Sequence, residues 1–372
     1  PHQFLELGHL LHEQRLFKPP AEIALMQQAA DISVRAHEAG MRAVRAGLHE
    51  YALQAEIERV FRASDACPAY ASIVGAGRNG CILHYRDNNA VVGEGDLVLV
   101  DAGAEYRGYA SDITRTFPAS GRFSPEQRIL HDLVGAAQAA ALAQARPGVP
   151  YEAGHLAAVR VLTEGLVRLG LLQGTVDDNI ARGEYQRFYR HKTGHWLGLD
   201  VHDVGDYRVA GESRLLEPGM VFTIEPGLYI GADDTRVAPR WRGIGIRTED
   251  DVLITEDGHQ VLTDALPRSA DEIEAFMRGA SRRALPGPDV NGKGAGRCPA
   301  PSSCRGEHRA GQVVRLAVRA HHLVLDAYTA VGTEDVHAVP VDALGVAGPL
   351  HLIQQHVDEV HARLDGHHHG SL

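Results

Sequence analysis

The sequence predicts an α+β fold made of two similar halves, each a pair of helices followed by a sheet. Three observations carry this. Apolar residues recur at helical spacing in two separate blocks, strand-like runs follow each block, and two short glycine-framed motifs recur in the same order. With 372 residues, 44% hydrophobic and 23% charged, the chain has room for one large domain or two to three average ones.

Residues 20–46 place Ile23, Met26, Ala30 and Val34 on one side, with Pro20 in the tolerated first turn, and predict a helix. A second helix covers 50–63, through Leu53, Ile57, Val60 and Phe61. Strand character then runs over 71–116. Ser124, Pro125 and Gln127 read as a capping box with proline at the first helical position, opening a helix to about Ala145. A fourth helix is expected over 151–169, and strand character returns over 196–255.

The second block repeats the first. Arg45-Ala46-Gly47-Leu48 is echoed by Arg146-Pro147-Gly148-Val149, and the run from Gly95 to Asp101 and Gly103 by the run from Gly219 to Glu225 and Gly227. In both longer motifs six positions separate the first glycine from an acid, and the second glycine follows two later. Duplication of this kind puts the two acids at related positions around one shared cleft.

Residues 281–310 hold nine Gly and Pro and read as a linker. The body is therefore assigned to 19–280 and a tail of unknown structure to 311–372, where Leu352, Ile353, Val357, Val360 and Leu364 fit one helix. Ten of the chain's 22 histidines follow Ser281, and clustered ones such as His367, His368 and His369 are assigned no catalytic role.

Charge and cysteine usage narrow the function classes. The segment from Ser281 onward balances nine basic against nine acidic residues, so the whole excess of 11 negative charges lies in the first 280. A binder of nucleic-acid backbone should be basic. No apolar run approaches a membrane span, and Pro1–Glu13 has neither a basic start nor an apolar signal core, so a soluble, cytoplasmic chain is expected. Cys67, Cys81, Cys298 and Cys304 lack C-x-x-C spacing and read as reduced, structural thiols.

Several residues carry possible chemistry. Asp101 and Asp112 flank Glu105-Tyr106-Arg107-Gly108, and a hairpin symmetric about Tyr106 and Arg107 would set the two aspartates face to face, an arrangement that asks for a cation. A shifted register would instead turn one of them to solvent. Glu225 precedes Pro226, which breaks a strand ladder. In Gly243–Glu249 alternation puts Ile244, Ile246 and Thr248 on one face and Arg247 and Glu249 on the other. His191 and His195 have H-x-x-x-H spacing, but Gly194 and the following Trp196-Leu197-Gly198 fit a loop entering a strand better than a helix. His202 reaches the same place only if the backbone bends, for which Gly198 and Gly205 leave room. Taken singly, each histidine reads as a packed or surface residue rather than a ligand. Together, one imidazole and a surplus of carboxylates suit two divalent ions bridged by acids, hence metal-assisted hydrolysis.

The segments Leu83-His84-Tyr85, Asp101–Tyr106, Ser111–Phe117, His195–Asp203, Glu225–Tyr229 and Gly245–Asp250 resemble, in order, the catalytic domain of bacterial aminopeptidase P, the Xaa-Pro aminopeptidase branch of the pita-bread metallopeptidases. The resemblance covers about residues 1–280. It implies a pita-bread fold in which Asp101, Asp112, His195, Glu225 and Glu249 hold two divalent ions, commonly manganese, with zinc or cobalt as alternatives. It implies catalytic parts for Glu225 in proton transfer, His202 at the oxyanion and His84 at the substrate, substrate contacts by His191 and Tyr229, and a supporting role for Arg247. The implied reaction removes the first residue from peptides with proline second, through a hydroxide bridging the two ions. A homo-oligomer is compatible with it. Members carry a substantial N-terminal domain, to whose exit segment residues 1–18 correspond. Prolidase, which cuts Xaa-Pro dipeptides with the same ligands, and a metal-free pita-bread binding module are the competing readings. Methionine aminopeptidase fits less well, because the stretch between His195 and His202 resembles the proline-specific branch.

Overall fold

The computed structural model describes residues 7–280. Expectations placed on 281–310, 311–372, Cys298, Cys304 and His367–His369 lie outside the described residues, as do the first six positions of the exit segment. Helices α1 (Leu7–Leu16), α2 (Pro20–Ala43) and α3 (Glu50–Ala63) lead. Strands β1 (Cys67–Pro68), β2 (Ile73–Ala76), β3 (Leu97–Asp101), β4 (Ala104–Tyr106), β5 (Tyr109–Ala110) and β6 (Thr114–Pro118) follow. The second block has α4 (Pro125–Leu142), α5 (Glu152–Arg168) and α6 (Val176–Ala181). After these come β7 (Arg208–Val209), β8 (Glu212–Ser213), β9 (Val221–Ile224), β10 (Gly227–Ile230), β11 (Ile244–Arg247), β12 (Asp250–Ile254), β13 (His259–Val261) and α7 (Ala270–Ala280).

The duplication is visible in the fold. In the first half α2 and α3 precede the antiparallel sheet β2-β3-β6, and in the second α4 and α5 precede β13-β12-β9. The echoed glycines explain why the motif repeats. Gly47 (φ +85°) and Gly148 (φ +78°) turn the chain between paired helices, while Gly95 (φ +83°) and Gly219 (φ +89°) turn it into β3 and β9. All four lie in the left-handed region, which strains any residue with a Cβ. The expected capping box forms: Gln127 N donates to Ser124 Oγ at 3.2 Å and Ser124 N to Gln127 Oε1 at 2.9 Å. Helix α3 buries Leu53, Ile57 and Phe61 completely, each contributing about 1.5–3 kcal/mol of apolar burial.

Two sequence expectations need correction. Strand structure does not run continuously over 71–116: after β2 the chain enters a 3₁₀ turn (Gly77–Cys81) and an irregular loop until β3. That loop is held by a helix. The fully buried Glu50 carboxylate accepts from Ala76 N (2.7 Å), Asn79 Nδ2 (3.0 Å), Tyr85 Oη (2.7 Å) and Ala90 N (2.9 Å), supplying partners that a sheet would otherwise give. The hairpin, moreover, is centred one residue later than expected. Arg107 (φ +50°) and Gly108 (φ +98°) form its two-residue turn, with both residues left-handed as a tight hairpin of this twist requires. Asp101 therefore pairs with Thr114 rather than facing Asp112.

Pro226 does break its strand. β9 ends at Ile224 in one sheet and β10 begins at Gly227 in another, and their partner changes from β12 to β11 at the same level. An isolated bridge from Thr114 to Glu249 joins the first half to the second at this gap. Cys67 and Cys81 are half-buried thiols, and burial pushes Cys81 up to about 12. Among the described residues no helix is long and apolar enough to cross a membrane.

Candidate metal centre

Each half delivers two acids from matching places. Asp101 ends β3 and Asp112 lies just before β6; Glu225 follows β9 and Glu249 lies just before β12. His195 enters on a loop that runs beside β9, where Thr223 N donates to His195 O at 2.9 Å and Glu225 N to Thr193 O at 2.8 Å. As expected, the segment is not helical. Donor atoms of Asp112, His195 and Glu249 lie within 4.8 Å of one another. His195 Nε2 is 3.4 Å from Asp112 Oδ2 and 3.9 Å from Glu225 Oε1. Its Nδ1 faces Trp196 O at 3.0 Å, a pure acceptor, so Nδ1 carries the proton and Nε2 is aimed at the acids.

Four carboxylates in one buried place repel each other, and their titration records it. Burial, followed by the charges of Asp112, Glu225 and Asp101, holds Glu249 well above the usual carboxylate range. Burial raises Asp101, with Arg247 opposing it, and pushes Glu225 up to about 7 despite His195 and Arg247. Asp112 is the exception: burial would raise it, but its contact with His195 wins and lowers it. Burial likewise works against a charged His195, yet Asp112 and Glu225 outweigh it and push the imidazole up to about 9. A site with one imidazole and four crowded, oxygen-rich acids has the donor chemistry for divalent cations, which would supply the positive charge it lacks.

The supporting residues form one connected network. Arg247 donates to Asp101 Oδ2 (2.5 Å), to Tyr229 Oη (3.0 Å) and to Thr114 Oγ1 (3.0 Å), while Thr114 Oγ1 donates to Glu249 Oε2 (2.6 Å). Tyr229 is buried and reaches His191 Nε2 at 2.8 Å; His191 Nδ1 meets Lys192 O at 2.7 Å. Burial and the charge of Arg247 push His191 down to about 3, so it is neutral and accepts from Tyr229. The ring of His202 stands 4.2 Å from that of His195, so the backbone bends as the seven-residue spacing required. Partial burial and the charge of His195 lower its pKa. His84 is exposed and close enough for its charge to bear on both His191 and His202.

Two residues escaped the sequence reading. Tyr70 Oη lies 2.7 Å from Asp101 Oδ1 and 2.5 Å from Asp112 Oδ1, and burial with those two charges holds its pKa far above normal, so it remains a donor. Asp251 accepts from Ser111 Oγ (2.7 Å) and Asp112 N (3.1 Å), fixing the backbone that carries Asp112. Tyr70 belongs to no periodic pattern. Asp251 sits in an acidic run, Glu249-Asp250-Asp251, that leads directly into the apolar Val252-Leu253-Ile254, and that juxtaposition was the signal available in the sequence.

Comparison with known proteins agrees with this geometry. Residues 24–256 match metallopeptidase family M24. An Xaa-Pro aminopeptidase of Escherichia coli is 48% identical over 284 residues, covering 76% of this chain and 64% of the relative. The structure of Pseudomonas aeruginosa aminopeptidase PepP superposes with a TM-score of 0.75 at 56% identity, covering 76% of this chain and 64% of that one. The human Xaa-Pro dipeptidase is 36% identical, over 74% of this chain and 62% of its own. The chain thus spans less than two thirds of the length of the curated relatives it matches.

Proposed function

This chain belongs to metallopeptidase family M24 and has its pita-bread fold, and on that premise we propose that it removes the N-terminal residue from peptides with proline in second position. The observation that carries the reading is the meeting of Asp112, His195 and Glu249, with Asp101 and Glu225 bound into the same network. These five would hold two divalent ions. Bound there, such ions would polarise the scissile carbonyl and lower the pKa of a water.

The chain's own residues do the rest. Glu225, whose Oε1 lies 3.9 Å from His195 Nε2, takes the proton of the attacking water and passes it to the leaving imino nitrogen. His202, beside His195, donates to the oxyanion that forms on the substrate carbonyl. His84 and His191 orient the substrate, and Tyr229 and Arg247 hold His191 and Asp101 in place. Manganese suits the oxygen-rich donor set. The nine Gly and Pro of residues 281–310 support a division into a 19–280 body, a 281–310 linker and a separate tail; a homo-oligomer rests on the family resemblance, and a cytoplasmic location on the sequence reading.

Release of the first residue from an Xaa-Pro-Xaa peptide, compared with cleavage of an Xaa-Pro dipeptide, with and without manganese, tests the reading. Manganese-dependent cleavage of the longer peptide is expected. Exclusive cleavage of the dipeptide would establish the second reading, prolidase, which the likeness to the human dipeptidase supports. Binding of less than about one ion per chain, with no gain in thermal stability, would leave the binding module instead.

A further inference from the structure

His202 lies on a turn outside the regular elements, joined to them at its entry, where Ala110 N of β5 donates to Gly198 O at 2.8 Å and Leu197 N donates to Val221 O of β9 at 3.0 Å. Residues 198–202 bend back so that Asp203 N donates to Trp196 O at 2.9 Å, with Gly198 N bonded to Asp200 O at 3.1 Å across the bend. At its exit the turn is held by charged side chains from the other end of the chain. The Asp203 carboxylate is buried and accepts from Arg15, whose guanidinium also donates to Asp200 at 2.7 Å, while Lys18 Nζ lies 3.3 Å from Asp203 Oδ2. Lys18 is itself buried and anchored through its backbone, donating to Gly219 O at 2.9 Å. The turn's entry is pressed against the same pair: a Cβ on Gly198 would stand 2.1 Å from Asp203 Oδ2 and 2.9 Å from Lys18 Cε.

A buried ion pair seldom repays its desolvation, so stability alone gives little reason for this one. Its placement gives another. It touches the turn where the chain enters, at Gly198, and where it leaves, at Asp203, and His202 is the neighbour of Asp203.

We propose that Asp203, held by Arg15 and Lys18, is a positioning residue that sets the His202 ring beside His195, making the segment before α2 part of the catalytic apparatus. The proposal rests on the oxyanion role given to His202 above.

The test uses the full chain and the variants Lys18→Met, Lys18→Arg and Asp203→Asn, alone and combined with His202→Ala. In Lys18→Met and Asp203→Asn, kcat should fall about 10- to 100-fold, the scale of a small misplacement, with KM and manganese affinity within about twofold of the parent. Lys18→Arg should restore most of the loss. Added to His202→Ala, Asp203→Asn should cost nothing further, because it acts through that ring. Multiplying losses in the double variant, or a parallel fall in manganese affinity, overturns the proposal. Should Asp203→Asn fail to fold, the two Lys18 variants carry the test. A histidine-labelled NMR spectrum separates this from the reaction itself. If the parent cleaves no peptide, the assigned activity fails, yet a His202 resonance displaced in Lys18→Met and returned in Lys18→Arg still supports the positioning role. An unmoved resonance overturns it.

Discussion

Glu225 and Glu249 stand directly opposite each other in the gap between two ladders of common register. Counting inward from Gly227–Arg247 on one side and Ile224–Asp250 on the other brings these two acids together. Facing like charges are destabilising without a cation. At pH 8, where Glu225 is ionised, Glu225→Gln should therefore stabilise the ion-free chain by about 1 kcal/mol while abolishing most of the gain in melting temperature on adding manganese. Turnover should drop about 100- to 10,000-fold, the range for losing a general base. Thermal melts with and without the ion check the crossing of the two effects.

His202→Ala separates metal binding from catalysis. The residue has its ring against His195 rather than among the carboxylates, so manganese content should stay close to the parent's. Turnover should slow roughly 100-fold, as for removal of one oxyanion donor. Elemental analysis beside steady-state kinetics reads both, and parallel loss of metal would contradict the division of roles.

Arg247→Met leaves Asp101 without its cation and Tyr229 and Thr114 without a donor. Breaking a buried pair in this way should cost the ion-free chain about 3 kcal/mol. Manganese should recover part of it, since an ion held by Asp101 replaces the lost charge. Denaturant titrations at two manganese concentrations measure the recovery; an identical deficit at both would count against Asp101 as a ligand.

His131 gives the pH prediction. Both its ring nitrogens are buried without a hydrogen-bond partner among the described residues, and its ring lies against Phe123. Burial, then the charges of Arg115 and Arg128, pushes its pKa down to about 4 from 6.5. The unfolded chain thus binds a proton that the folded one refuses between these values, so stability falls as pH drops from 6.5 to 4 and is unaffected above that window. His131→Leu should abolish about 3 kcal/mol of this acid destabilisation. The difference in stability between parent and variant, followed from pH 7.5 to 4.5, should widen on the acid side.

Removing residues 284–372 should leave metal content and activity nearly unchanged, because every residue given a part in the site lies between Arg15 and Asp251. Aggregation of the shortened chain, with the full chain soluble and active in the same buffer, would instead assign the tail a covering role.

Local chemistry made much of this legible. Ser124 and Gln127 announce their helix because a capping box is a contact between residues three apart, and the glycine echoes mark backbone angles that other residues avoid. Asp101 and Glu225 were readable for the same reason, as strand-end acids just before Gly103 and Pro226, while Asp112 and Glu249 came into view through hairpin symmetry and strand alternation. What stayed hidden depends on distant partners. The loop between β2 and β3 is shaped by Glu50 from a helix, and the bend that brings His202 to His195 is held by Arg15 and Lys18, some 185 residues away. The hairpin centre was missed because Arg107 carries no preference for its left-handed angle, although Gly108 beside it is the residue such a turn favours.

The proposed ligands are split between the halves: Asp101 and Asp112 come from one, His195, Glu225 and Glu249 from the other, with Thr114 and Glu249 stitching the seam. An ion seated there works as a rivet. Any excursion that parts the halves, however well each keeps its own helices, scatters the ligands and must first expel the metal. Saturating metal should therefore suppress amide exchange at the bridge between Thr114 and Glu249 more strongly than in the exposed β7–β8 hairpin, which carries none of the rivet.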